Sequence, residues 1–292
     1  MALQLQQNPC PVCDATQPQA AYQVKGFTIA RCGACGMHYT DPRLPTDALY
    51  EIYRRDYFHS NKDGYEDYEL SSHLRIKTFQ RWHGDISPFL KRESGKTLDI
   101  GCAAGYFMDV LKTAGWEPEG IELDESMRST PRERGYPVFD RPLEFFNPSG
   151  KYDLITLFDV IEHLPKLKAD VAKIAGMLSP NGCVALVTPD ITSLQRKIFG
   201  ARWFQFKPTE HIYYFSPAAL QRVFQPHGLE VVLLKRAGQY ADVSFLHRRL
   251  IKYGFTGLAK LFDGTVRLFG LSNRYWYADT GSMFAVLRKK AG

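Results

Sequence analysis

An α/β fold, built as a doubly wound and mostly parallel sheet behind a small metal-stapled ribbon, is what the sequence predicts. Three observations carry this. Short apolar runs alternate with helix-like segments from residue 95 onward, the run Thr97-Leu98-Asp99-Ile100 passes into a turn of small residues, and two Cys-x-x-Cys pairs sit near the amino terminus. Such alternation gives parallel strands joined by crossover helices, and ligands of these sheets bind at the carboxyl ends of the strands.

Cys10-Pro11-Val12-Cys13 and Cys32-Gly33-Ala34-Cys35 are two knuckles separated by eighteen residues. That spacing turns four thiolates toward one tetrahedral ion, and zinc is the expected metal. Gly33 and Gly36 are expected to supply the backbone freedom of the second knuckle. Between the pairs, residues 21–24 and 27–30 read as a hairpin around Lys25-Gly26. A unit of about 40 residues rarely folds without such a staple. A pair of disulfides competes with zinc. Against it, the start Met1-Ala2-Leu3-Gln4-Leu5-Gln6-Gln7 lacks the basic region and apolar core of an export signal, and Cys102 and Cys183 stand singly in core segments. Four thiolates leave no open coordination position, so the expected role is structural.

From Asp41 to Glu93 the chain is polar, aromatic and mostly helical, with Leu49, Ile52 and Tyr53, and then Leu74, Ile76, Phe79 and Trp82, on apolar faces. Next comes the most informative segment, Thr97 to Phe107. An apolar strand enters a turn of small residues, which let backbone approach a ligand closely, and a helix follows from near Tyr106. A second short strand, around Pro118 to Ile121, ends on Glu122, twenty-three residues after Asp99. That is close to the ~20-residue spacing at which an acid accepts hydrogen bonds from ribose hydroxyls. The small residues fall at Gly101, Ala103 and Gly105, so the third glycine of the dinucleotide fingerprint is missing. Asp99, just before the turn, would repel a pyrophosphate and suits the cationic amino-acid end of a cofactor. Because Ala103 carries a Cβ, its φ is expected to be negative.

The alternation continues with a helix near Ser126 to Arg134, a short strand around Pro137 to Phe139, and a strand Tyr152 to Phe158 that brings Phe158 and Asp159 to the ligand edge. Residues 178–182 read as a helix end and a turn, and 183–189 as a central buried strand. Residues 202–206 and 210–216 are rich in aromatics and histidine and are expected to overhang the site. They precede a helix capped by Ser216 with Pro217 at its first position. Residues 228–235 and 282–289 suit a terminal antiparallel hairpin. Between them, at about 238–280, lies a basic amphipathic insertion whose apolar members include Phe245, Leu246, Leu250, Ile251, Phe255 and Leu258.

The loop at 99–105 resembles motif I of the class I S-adenosylmethionine-dependent methyltransferases, usually D/E-x-G-x-G-x-G, with Ala103 in place of the middle glycine and Glu122 at the position of the ribose-binding acid. Phe158-Asp159-Val160-Ile161-Glu162-His163-Leu164 resembles motif IV of the group containing ubiquinone-type O-methyltransferases and many natural-product and glycan enzymes; the amino-methylating N/D-P-P-Y/F motif is absent. Residues 178–189 match motif VI and its following strand. The resemblance covers roughly 95–235 for the core and 10–36 for the ribbon. It implies a seven-stranded sheet and S-adenosylmethionine as cofactor, contacted by Asp99, Gly101, Cys102, Gly105, Glu122, Leu123, Phe158 and Asp159. It also implies that the helical region before motif I closes over the cofactor, with Tyr50, Tyr53, Tyr57 and Tyr65 as lid candidates; packing of ribbon against core is the alternative. Glu162 and His163 are expected to begin a helix. With Asp159 they can gather oxygen and nitrogen ligands for a divalent metal, as an E-x-x-E-H triplet does in some members, or they can cap the helix or anchor a loop.

S-adenosylmethionine carries an activated methyl group, so the protein must align a nucleophile and exclude water. His211 is the leading candidate for the general base on a hydroxyl acceptor, with His163 as the second catalytic candidate; ordering a loop is the other reading for His211. The expected division is a ribbon at 1–40, a helical linker or lid at 41–94 and a methyltransferase domain at 95–292. The expected function is O-methylation of a small-molecule, glycan or lipid-linked acceptor, with ribbon and insertion forming its pocket. The alternatives are a zinc-ribbon RNA methyltransferase and a non-catalytic zinc-binding adaptor. Against RNA, the ribbon carries only Lys25 and Arg31 between its outer cysteines, so nucleic acid is not an expected partner. The net charge of +6 fits an acidic substrate or surface and selects neither. No apolar run spans a bilayer. A cytoplasmic location is expected, with peripheral contact at the inner face of a membrane through 238–280; the same apolar stripe also suits a core face or an oligomer interface.

Overall fold

The computed structural model describes residues 5–55, 71–243, 247, 251, 256–268 and 274–290. Two sheets organise them. The amino-terminal sheet is antiparallel and comprises β1 (Pro18–Val24), β2 (Phe27–Cys32) and β3 (His38–Thr40). Lys25 and Gly26 both adopt positive φ, 50° and 84°, as a two-residue hairpin turn on right-twisted strands requires. A linker helix α1 (Thr46–Arg55) and a longer α2 (Ser72–Ile86) follow.

The main sheet contains β4 (Lys96–Ile100), β5 (Glu117–Ile121), β6 (Val138–Phe139), β7 (Tyr152–Phe158) and β8 (Leu178–Pro189), all parallel. β10 (Leu229–Asp242) and β11 (Tyr275–Lys289) add an antiparallel hairpin beside β8. The strand order is β10-β11-β8-β7-β4-β5-β6, which is the expected doubly wound, mostly parallel seven-stranded sheet. The crossovers hold α3 (Tyr106–Thr113), α4 (Glu125–Glu133) and α5 (Leu167–Met177), and the later helices are α6 (Leu194–Phe199), α7 (Pro217–Phe224) and α8 (Thr256–Leu268). Ser216 caps α7 through the Ala219 amide with Pro217 at the first position, as its sequence foretells.

The ribbon closes through its four cysteines. The Cys10 and Cys35 sulfurs lie 3.4 Å apart and those of Cys13 and Cys32 3.5 Å, and all four ligand atoms lie within 4.8 Å of one another. A disulfide needs ~2.05 Å. Four thiolates on a tetrahedral zinc with ~2.3 Å bonds sit roughly 3.8 Å apart, so the cluster fits a zinc ribbon. The residue after each second cysteine, Asp14 (φ 60°) and Gly36 (φ 77°), is left-handed, and its amide bonds back to the carbonyl of Cys10 or Cys32. The knuckle freedom expected of Gly33 therefore belongs to Asp14 and Gly36, because the turn reverses after the second thiolate.

Ribbon and main domain share one core. β9 (Tyr213–Tyr214), from the loop beyond the main sheet, pairs antiparallel with β3 and becomes the fourth strand of the ribbon sheet. The Thr40 amide donates to the Ile212 carbonyl at 3.0 Å, and Arg43 donates to the Tyr213 hydroxyl at 2.7 Å and the Pro165 carbonyl at 3.2 Å. Cys10, Met37 and Tyr39 belong to the same apolar cluster as Leu98, Ile212 and Tyr213.

Three expectations are corrected. Glu162 and His163 do not begin a helix: Ile161–His163 is one tight turn and α5 starts at Leu167, because Pro165 lacks an amide and drives Leu164 into an extended conformation. β8 starts at Leu178, whose neighbour Tyr152 pairs with it across an irregularity, so the expected turn at 178–182 lies within the strand. β10 and β11 extend to Asp242 and Tyr275, which narrows the insertion to 243–274. A ladder of Tyr240 against Tyr275 and Tyr277 continues the pairing, and α2 anchors it through Thr78 Oγ1, which accepts from the Tyr240 amide at 2.9 Å. Tyr57, Tyr65, Phe245, Leu246, Leu250 and Phe255 lie outside the described residues. Among those described, no helix is long and apolar enough to cross a membrane.

The shared core makes a thermal prediction. Purified chain is expected to carry about one zinc by metal mass spectrometry, and Cys32→Ser should lower the melting midpoint of the whole molecule, by about 2–4 °C per kcal/mol lost. Calorimetry should show one shifted transition; a separate low-temperature transition for the ribbon would contradict the shared core.

Candidate functional site

Strand order reverses beside β4, where β5 lies on one side and β7 on the other, and the loop after β4 opens there. This is the switch point at which open α/β sheets take their ligands. Gly101 and Gly105 both adopt φ 73°. A Cβ on Gly101 would stand 2.5 Å from Val160 Cγ2, and one on Gly105 2.7 Å from Pro131 Cβ, so neither position admits a side chain without displacement. The loop is pinned to β5, because the Gly101 and Cys102 amides donate to the Ile121 carbonyl at 2.7 and 3.1 Å.

Ala103 departs from the sequence expectation: its φ is +45°, not negative. The left-handed region costs a non-glycine residue about 1–2 kcal/mol. What holds it is Glu122, whose Oε2 accepts from the Ala103 amide at 2.9 Å while Oε1 accepts from the Asp124 amide at 2.8 Å. Arg134 braces the loop from behind, donating to the Ala104 carbonyl and pairing with Asp109.

Asp99 is 3% exposed, and its Oδ1 accepts from Thr156 Oγ1 at 2.6 Å. Burial pushes its carboxyl up to about 7, against the lowering effect of the Thr156 hydroxyl. Burial also raises Glu122, although amides bond its carboxylate. Each carboxylate oxygen retains a second lone pair, so Glu122 can still accept ribose hydroxyls. Cys102 is buried with its thiol pushed far up, and its Sγ lies where a Cβ on Gly120 would meet it at 2.6 Å. It packs β5 against the loop. The Leu123 carbonyl takes the Arg128 guanidinium at 3.1 Å. At the end of β7, the Phe158 ring packs 4.8 Å from Trp82 and 4.9 Å from Phe107 between centroids, so α2 and α3 meet over that strand end. Asp159 is left-handed (φ 55°) and solvent-exposed, and its amide donates to the Val187 carbonyl at 2.9 Å.

A second cluster stands at the same edge. The expected trio was Asp159, Glu162 and His163; the structure gathers Glu162, His163 and His211 instead, with one ligand atom from each within 4.8 Å of the others. Asp159 is not among the gathered ligand atoms, and the third place is taken by His211 of the 203–216 loop. Glu162 is fully buried. Its Oε2 accepts from Thr188 Oγ1 at 2.9 Å, while Oε1 is buried without a hydrogen-bond partner, and burial beside Asp159 raises its pKa well above the usual range. The His163 and His211 ring centroids are 4.7 Å apart. Nδ1 of His211 lies 2.9 Å from the Gln205 carbonyl. That of His163 lies 2.9 Å from the Glu210 carbonyl and 2.8 Å from the Tyr53 hydroxyl, which itself donates to Glu210. Carbonyls only accept, which places a proton on Nδ1 of His211 and directs its Nε2 lone pair elsewhere. Burial lowers the pKa of His163 to about 4 and that of His211 well below its usual value, so both rings are neutral. Of the two described lid candidates, Tyr53 covers this cluster, whereas Tyr50 bonds Glu144 at 2.8 Å and ties α1 to the core.

Thr40, Thr156, Thr188 and Arg134 escaped the sequence reading. The threonines carry a signal: Thr156 and Thr188 are hydroxyls within the buried apolar runs Leu154–Phe158 and Cys183–Pro189, where each needs a polar partner.

Switch-point loop, small-residue turn and terminal acid together define a nucleoside-binding α/β domain of the class I S-adenosylmethionine-dependent methyltransferase type. Residues 72–234, more than half of the chain, match the methyltransferase domain family, and the chain belongs to that family. It is 28% identical over 123 residues to the ubiquinone biosynthesis O-methyltransferase of Bordetella avium, covering 39% of this chain and 48% of that protein. It is 30% identical over 101 residues to that of Methylococcus capsulatus, covering 32% and 43%. The chain thus spans about half the length of the curated relatives it matches. Two solved structures share the fold. A plantazolicin methyltransferase in complex with SAH has TM-score 0.53 at 12% identity, covering 84% of this chain and 95% of that one. A S-adenosylmethionine-dependent methyltransferase from Clostridium acetobutylicum has TM-score 0.51 at 11% identity, covering 77% and 96%.

Two measurements test the cradle. Burial pushes the Asp99 carboxyl up to about 7, and the family resemblance assigns it to the cofactor's ammonium, so acidification is expected to remove the charge that would face it. Calorimetric affinity for S-adenosylhomocysteine should therefore fall below pH 7, by up to about tenfold per unit, and plateau above it. Asp99→Asn should bind weakly with a flatter profile; an unchanged profile would remove Asp99 from the ligand's surroundings. Ala103→Gly should raise stability by roughly 0.5–1 kcal/mol in denaturant unfolding, since relief of left-handed strain exceeds the added chain entropy.

Proposed function

We propose that this protein transfers the methyl group of S-adenosylmethionine to a hydroxyl oxygen of a small-molecule acceptor. The observation that supports the reading is that Asp99, near the carboxyl end of β4, and Glu122, just after β5, share one sheet edge with the Glu162–His163–His211 cluster beyond β7 and β8. The relatives named as ubiquinone biosynthesis O-methyltransferases support a hydroxyl acceptor.

In this reading Asp99 faces the α-ammonium of the cofactor, Glu122 accepts its ribose hydroxyls, and the Gly101–Gly105 backbone admits it closely. Leu123, Phe158 and Asp159 line its remaining sides. His211 serves as the general base. Its Nε2 takes the acceptor's proton as the oxygen attacks the methyl carbon and the carbon–sulfur bond breaks, which leaves S-adenosylhomocysteine. A ring kept neutral by burial is always ready to accept that proton, though weakly basic. The zinc holds the ribbon in shape, and ribbon and terminal hairpin wall the acceptor side; glycan and lipid-linked hydroxyls belong to the same acceptor class.

A second reading is favoured by one observation, the unpartnered buried Oε1 of Glu162. An unsatisfied carboxylate oxygen beside two neutral imidazoles is a donor set suited to a divalent cation. A cation held by Glu162, His163 and His211 would lower the pKa of a hydroxyl bound to it. Thr188 would then orient Glu162, and the Gln205 and Glu210 carbonyls would orient the imidazoles.

Turnover of labelled S-adenosylmethionine with phenolic and catechol acceptors tests both. His211→Ala should reduce kcat by about 10²-fold or more while cofactor affinity holds; unchanged turnover would eliminate His211 from the chemistry. Chelation that leaves the ribbon zinc in place, checked by metal analysis, separates the readings: surviving turnover supports the base alone, and loss restored by added magnesium or manganese supports the cation.

A further inference from the structure

Large hydrophobic side chains left in solvent are not scattered over this molecule. Of the eleven among the described residues, eight fall on two stretches attached to the β10–β11 hairpin. Leu194, Ile198 and Phe199 stand on α6 at 62%, 66% and 42% exposure, and Ile251, Leu258, Leu261, Tyr275 and Trp276 stand in and beside α8 and at the start of β11. Both stretches hang on the β10–β11 hairpin. α6 lies against it where Gln195 donates to the Asp279 carbonyl at 3.4 Å, and Trp276 lies three residues up the same strand, about 10 Å away.

The hairpin fixes which way this face points. β11 leaves β8 at the Ser282–Pro189 pair, the carboxyl end of the sheet, and the Gly238–Asp242 and Tyr275–Asp279 arms continue beyond it. The exposed apolar face therefore rises from the edge at which the Asp99–Glu122 loop opens.

Its charge selects the partner. Between Val243 and Trp276 the sequence holds six basic residues and one acid, Asp263, and between Ser193 and Trp203 it holds Arg196, Lys197 and Arg202 with no acid. Exposed leucines with a tyrosine and a tryptophan, on stretches whose sequence is rich in lysine and arginine, are the composition that settles on an anionic bilayer. A second copy of the chain would bring the same positive charge to the contact and be repelled. We propose that α6, α8 and the outer arm of the β10–β11 hairpin form a face that rests on an anionic phospholipid surface, turning the carboxyl edge of the sheet toward the bilayer. This does not rest on the acceptor's identity or on methyl transfer.

Co-sedimentation of the full chain with vesicles tests it. Strong partitioning is expected onto phosphatidylcholine vesicles containing phosphatidylglycerol, weak partitioning onto phosphatidylcholine alone, and loss of binding as salt is raised. The pairs Leu194→Ser with Ile198→Ser, and Leu258→Ser with Leu261→Ser, should each weaken vesicle binding about tenfold or more. Their melting midpoints and S-adenosylhomocysteine affinity should stay those of the parent, which separates loss of the face from loss of the fold. Absence of partitioning onto phosphatidylglycerol vesicles, or partitioning indifferent to both pairs, would overturn the proposal. So would a concentration-dependent dimer in sedimentation velocity that both pairs abolish.

Discussion

Backbone pairing between β3 of the ribbon and β9 of the main domain is the constraint on which the rest of this structure depends. The ribbon's sheet is too small to bury its own apolar face, and the 203–216 loop has no regular neighbour in the seven-stranded sheet. Each supplies what the other lacks. The Thr40 amide satisfies the Ile212 carbonyl, and its hydroxyl reaches the His211 carbonyl at 3.4 Å, so the last residue of β3 fixes the backbone of the histidine that completes the buried cluster. The Ile212 amide in turn donates to the Glu162 carbonyl at 3.0 Å. A continuous run of hydrogen bonds thus links the thiolate-closed ribbon to the turn after β7, and the four cysteines act on the site only through that geometry.

The site is also an accumulation of buried acids. Asp99, Glu122 and Glu162 are each less than a tenth exposed, and burial raises all three pKa values. A core designed for stability alone would not keep them. The protein limits the cost with local donors: a strand hydroxyl for Asp99, two amides for Glu122 and another strand hydroxyl for Glu162. One oxygen of Glu162 is left over, and unsatisfied polarity of this kind at a sheet edge is where ligand chemistry concentrates.

Much of this was legible along the chain because it depends on local rules. Continuous apolar runs separated by helices gave the parallel strands, Cys-x-x-Cys spacing gave the ribbon, and small residues between Asp99 and Tyr106 with an acid after the next strand gave the cofactor loop. Ala103 shows where local rules stop. Its side chain argues for negative φ, yet a hydrogen bond to Glu122, nineteen residues away, holds it in the left-handed region. Pro165 shows the reverse, since its effect on residues 161–164 could have been read directly from the sequence.

The sequence by itself determined the strand and helix order, the thiolate cluster and the acids that flank the loop, because each follows from spacing within one element or one turn. Only the tertiary structure decided that His211 joins Glu162 and His163 in place of Asp159, and that the ribbon shares the main core instead of standing apart. It also decided that α6, with its exposed Leu194 and Ile198, lies against β11. These facts are contacts between residues tens to more than a hundred positions apart, and such pairings are set by how sheets close and register, which no periodicity within a single segment encodes.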